Sequence, residues 1–189
     1  MSRLPQGLAF VGASIAVLAP GGSVVAADYL SLEAAQRAVF PEGLRFEPVR
    51  LSLTTAQRQA VDALAGPQPP RGRLSAWRVA GASGLVGYFF VDEVLGRQDF
   101  IDYALGINND GSLRTPEIMA YRESHGGEVR NLAWRRQFAQ RRDGARLRAS
   151  IDIKNIAGAT LSCEHLTGAI RYLRALWQIS LNTAPQAAP

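Results

Sequence analysis

Cysteine is almost absent from this chain: Cys163 stands alone among 189 residues. A single thiol excludes an intrachain disulfide and any cysteine-rich metal centre. Its expected place is that of a small apolar residue in a helix. Histidine is nearly as scarce. His125 and His165 fall on different predicted elements and lack carboxylates at ligand spacing, so no metal site is expected. Lysine occurs once, at Lys154, and every other cation is arginine. The net charge of +5 is spread over small clusters, Arg135-Arg136 and Arg141-Arg142. They read as a solvated face favouring anionic partners, not as a nucleic-acid surface.

Other absences narrow the function. GASGLVG (81–87) lacks the spacing of a dinucleotide fingerprint and fits a hairpin turn. GYFFV (87–91) lacks the flanking cation and aromatic of an RNA-binding strand. Ser124 beside His125 is not a catalytic pair by adjacency, because a base must reach its nucleophile in space. No acid, base and nucleophile converge, so a redox or binding role is expected rather than turnover of a substrate. Asp92-Glu93 reads as a solvated strand end, with a paired acid site as the alternative.

What is present begins with a leader. MSR gives a basic start, LPQGLAFVGASIAVLAP an apolar stretch, and SVVAA places Val25 and Ala27 at the small-residue positions of a signal-peptidase site. The reading is a signal peptide over 1–27 and a periplasmic mature chain starting at Asp28, with an uncleaved anchor as the alternative. No later segment is apolar enough to cross a bilayer. Residues 28–72 read as a helical N-terminal extension and linker, 73–180 as the main domain, and 181–189 as a disordered tail.

Within this frame, helices are expected over 31–40 (cap Ser31), 55–66 (cap Thr54 or Thr55), 126–141 and 161–179. FEPVRLSL has mixed strand character. RLSAWRVA and LVGYFFVDEVLG flank GASG as one hairpin, and Asn109-Asp110-Gly111 turns a second, 100–107 with 113–121. RLRASIDI (146–153) is expected as a last strand. The expected fold class is α+β: a small antiparallel sheet of two hairpins packed by helices.

One stretch stands out: NIAGATLSCEH (155–165). The small residues Ala157, Gly158 and Ala159 lead to a hydroxyl, Thr160, at the start of the clearest helix. Helix N-termini carry N–H groups without partners and a partial positive charge, so they suit a phosphate. Gly158 allows unusual dihedrals and close approach. The alternative is a plain N-cap by Thr160 or Ser162.

GATLS before a helix, preceded in order by GYFFVDEVLG and YRESHGGEVR, resembles the FMN-binding domain family. That family includes the flavin-carrying subunits of bacterial sodium-pumping NADH:quinone reductases and related electron-transfer complexes. The resemblance covers roughly residues 74–178, and YLSLEAAQRAVFP with LTTAQRQAV resembles the stand-alone periplasmic members. It implies an exported electron-transfer protein carrying FMN as a phosphoester on Thr160. Its partners would be a flavin transferase that forms the bond and a membrane or periplasmic redox protein. The implied cofactor-binding residues are Ala157, Gly158, Ala159, Thr160, Leu161 and Ser162, with Glu123, Ser124, His125 and Gly126 from the RESHGG loop. Tyr121 and Trp134 are candidates for packing near the ring, with core packing as the alternative. Two positions depart from the pattern: Ala157 replaces a serine or threonine, and Lys154 replaces an acid, the nearest being Asp152. These departures support the alternative of a cofactor-free periplasmic accessory protein of the same fold.

Overall fold

In the computed structural model, residues 27–142 and 147–182 are described. The leader proper and most of the C-terminal tail lie outside these residues. The elements are β1 (Ala27–Asp28), α1 (Leu32–Val39), β2 (Arg45–Val49), α2 (Thr55–Ala65), β3 (Arg71–Gly81), β4 (Gly84–Leu95), β5 (Phe100–Asn108), β6 (Glu117–Tyr121), α3 (Leu132–Arg135) and α4 (Thr160–Leu176). The fold is α+β. Six antiparallel strands lie in the order β1-β6-β5-β4-β3-β2. The two expected hairpins form its centre, β2 is added along β3, and two residues of β1 close the opposite edge on β6.

Local chemistry accounts for the helix boundaries. Ser31 accepts from the Ala34 N–H to open α1. Thr54 and Gln57 form a reciprocal capping box on α2, which ends at Gly66 with φ +72°. Alternation along the central strands then sorts side chains to two faces. One face buries Phe89 and Ala104 beneath Val39 and Phe40, where α1 packs. The other buries Phe90, Ile101, Tyr103 and Leu105 beneath Leu166, Ile170 and Leu173 of α4, with α2 alongside. Burying each of those three α4 side chains contributes about 1.5–3 kcal/mol, which is why the long amphipathic helix lies across the sheet.

Two expected elements differ. The helix over 126–141 is broken into a 3-10 turn (Gly127–Arg130), the single turn of α3, and a second 3-10 turn (Arg136–Phe138). Asn131 causes the first break: its backbone is extended (ψ 121°) and its side chain caps the Ala133 N–H. Val129, Trp134 and Phe138 are buried, but Leu132 and Ala133, also apolar, are exposed. The expected last strand does not form. Among its described residues only an isolated bridge joins Ala149 to Ile153. Ser150 at φ +66° reverses the chain, and the Asp152 carboxylate takes the Arg148 N–H at 3.0 Å. Leu147 and Ile153, its apolar signal, are buried by this tight turn instead.

Candidate functional site

Thr160 is the first residue of α4 and its side chain is exposed. The N-cap is Ala159, and no side chain caps this helix. The first-turn N–H groups therefore lack the partner that a capping hydroxyl supplies elsewhere in the chain. The turn before it closes through the Ala159 N–H to the Ile156 carbonyl (3.0 Å), with Gly158 at φ +84°. A Cβ at Gly158 would meet nothing within 4 Å, so glycine is required by the dihedral and the space outside it is open. Ala157 is exposed and Ala159 buried. Leu161 is 39% exposed, whereas Ser162 is buried.

The approach to this turn is fixed from below. The Lys154 carbonyl accepts from the Trp134 indole N–H (2.8 Å) and the Gln137 amide (3.2 Å), while the Lys154 N–H donates to Gln137 Oε1 (2.8 Å). Trp134 is thus a core residue that anchors backbone. The Lys154 side chain is exposed. Asp152, the nearest acid, is held by Arg148 at 2.9 Å, and that side-chain hydrogen bond together with one from the Arg148 backbone N–H keeps its carboxyl below the usual range.

A cleft of about 460 Å³ brings Gly158 together with Glu123, Ser124, His125, Gly126, Glu128 and Arg130, and with Tyr29 and Tyr121. The RESHGG loop and the Gly158 turn, distant in sequence, are therefore neighbours. Glu123 does not point a free carboxylate at the cleft. Its Oε1 accepts from the backbone N–H groups of Arg97, Gln98 and Asp99. Ser124 and His125 are exposed, with Oγ and Nδ1 2.8 Å apart. Gly126 adopts φ +87°, and the Tyr121 hydroxyl binds the His125 carbonyl. Burial pushes the Tyr121 phenol up, against a smaller lowering by Ser162. Burial likewise raises the Cys163 thiol, which is fully enclosed.

Two groups read from the sequence as solvated are not. Arg135 is half-buried against Glu117 (2.6 Å) and the Pro116 carbonyl, and Arg141 binds the Gln137 and Asp152 carbonyls. The arginine clusters are in part internal struts. Asp92 is fully buried, 2.9 Å from Arg71 and accepting from the Tyr103 hydroxyl at 2.7 Å, while Arg71 lies 3.9 Å above the Tyr172 ring. Alternation carried the missed signal: Asp92 shares a face with Tyr88, Phe90 and Val94, all core residues.

Fold and cleft define an α+β protein with an open polar cleft beside an uncapped helix N-terminus. No family model matches the chain, and no curated protein matches it. Among the described residues no cluster of three metal-ligating side chains occurs, and no helix is long and apolar enough to cross a membrane.

Proposed function

We propose that this protein is an exported FMN-binding electron-transfer protein whose flavin is joined as a phosphoester to Thr160. The observation that carries the reading is the state of that hydroxyl. It is exposed at the head of an uncapped 17-residue helix, where neither burial nor capping accounts for it. The residues fit the group. The first turn of α4 offers N–H groups and a favourable field for a phosphate dianion. The turn at Gly158 leaves open space, and the adjoining cleft offers Tyr29 and the Ser124-His125 loop as walls.

When bound, the isoalloxazine would supply reversible electron acceptance. The protein's own part is placement. Trp134 and Gln137 fix the backbone leading to the tether. Arg130, stacked on Tyr29 at 4.6 Å, places a cation in a cleft that also holds Glu128. No general acid or nucleophile is required for such a carrier. A flavin transferase acting on residues around 154–160 and a membrane or periplasmic redox protein would be its partners, in the periplasm. A tether suits that compartment, since a phosphoester is not lost by dilution.

The test is export of the full chain from a host that co-expresses a flavin transferase. The purified protein should be yellow and fluoresce in a denaturing gel, with a mass above the apo-chain by FMN less one water. Thr160→Ala should remove the label. Colour lost on denaturation would mean binding without a bond. A colourless protein despite an active transferase would overturn the reading in favour of a cofactor-free accessory protein, the direction in which Ala157 and Lys154 point.

A further inference from the structure

We infer that Tyr121 and Ser162 form a latch that positions the 122–127 loop over the proposed flavin, governing the ring's surroundings and not its attachment; this rests on the Thr160 reading. Ser162 Oγ lies 3.1 Å from the Tyr121 hydroxyl, which in turn contacts the His125 carbonyl. A carbonyl only accepts, so the Tyr121 proton goes to His125 and Ser162 donates to Tyr121. The chain of donors therefore runs from the first turn of α4 through β6 into the loop. Gly126 lies directly against it: a Cβ there would sit 2.5 Å from the Tyr121 hydroxyl and 2.7 Å from Ser162 Oγ. The other end of the loop is held separately, by Glu123 on the N–H groups of 97–99. Ser124 and His125 are thus displayed between two anchors, on the rim of the cleft that contains Gly158.

The helix separates latch from tether. Residues two apart on an α-helix point in nearly opposite directions. Ser162 faces inward and is 4% exposed, while Thr160 faces solvent. Loosening the latch therefore leaves the hydroxyl accessible and frees the loop. Both groups are positioning residues in this account.

The experiment uses the exported holo-protein carrying Tyr121→Phe, Ser162→Ala or both. Phenylalanine keeps the ring in the core, and the melting temperature reports folding. Mass should show full labelling in every variant. Quenching of flavin fluorescence by neutral acrylamide should rise toward that of the denatured holo-chain, and the midpoint potential should move toward that of free FMN. Backbone amides of Gly126–Val129 should exchange about five-fold faster, the effect of losing one ordinary hydrogen bond on local opening. The double variant should match Tyr121→Phe, because both changes break one chain. Unchanged quenching and potential in labelled variants would overturn the inference, as would loss of the label in them. An unlabelled wild-type chain would instead sink the Thr160 reading, and the flavin role of the latch with it.

Discussion

Asp92→Ala should be the most damaging single truncation of a polar side chain in the sheet. Asp92 is fully buried; its two oxygens face the Arg71 guanidinium at 2.9 Å and the Tyr103 hydroxyl at 2.7 Å. Arg71 is itself only 14% exposed at its side chain and is flanked by the Tyr172 ring. Removing the carboxylate strands a buried cation and orphans a phenol that burial keeps protonated. Breaking a buried pair from one side costs about 3–5 kcal/mol. For a domain of this size each kcal/mol moves the melting temperature by about 2–4 °C, so the loss should be roughly 6–20 °C. The triple change Arg71→Met, Asp92→Leu, Tyr103→Phe removes every stranded group together and should recover most of that loss. Calorimetry of the three proteins decides the matter. A fall of under about 3 °C for Asp92→Ala, well below one buried pair, would refute the reasoning, as would a triple variant no more stable than the single.

The same carboxyl sets a pH dependence. Burial raises its pKa above the unfolded value despite Arg71 and Tyr103. Its contribution is therefore full below the unfolded carboxylate range and lost as pH rises through the raised value, so the stability gap between wild type and Asp92→Asn should narrow as pH climbs above the unfolded value of about 4; denaturant melts showing the gap widening would contradict this. Gly158→Ala should cost about 1–2 kcal/mol through its positive φ alone, with no clash, and the label on Thr160 should be retained in the holo-protein; a loss beyond 3 kcal/mol in urea unfolding would mean the turn is packed more tightly than described.

The sequence by itself determined most of the secondary structure and its fold class. Caps at Ser31 and Thr54, the stop at Gly66, the two hairpin turns and the apolar stripe of α4 are local signals, each decided by neighbours a few residues away. It also marked Thr160 and the RESHGG loop as separate points of interest. Where it failed, the deciding contact was remote or a local reversal competed with periodicity. Asn131 broke an apparently continuous helix, and Ser150 with Asp152 folded an apparent strand into a turn. Charge is the clearest case: Arg135, Arg141 and Asp92 looked solvated because their partners, Glu117, the Asp152 carbonyl and Arg71, lie 11 to 21 residues away. Only the tertiary structure decided that the loop at 122–127 and the turn at 156–159 share one cleft, with Tyr121 and Ser162 bridging them. A pocket wall is built by sheet order and helix placement together, and neither is written in any stretch short enough for periodicity to read.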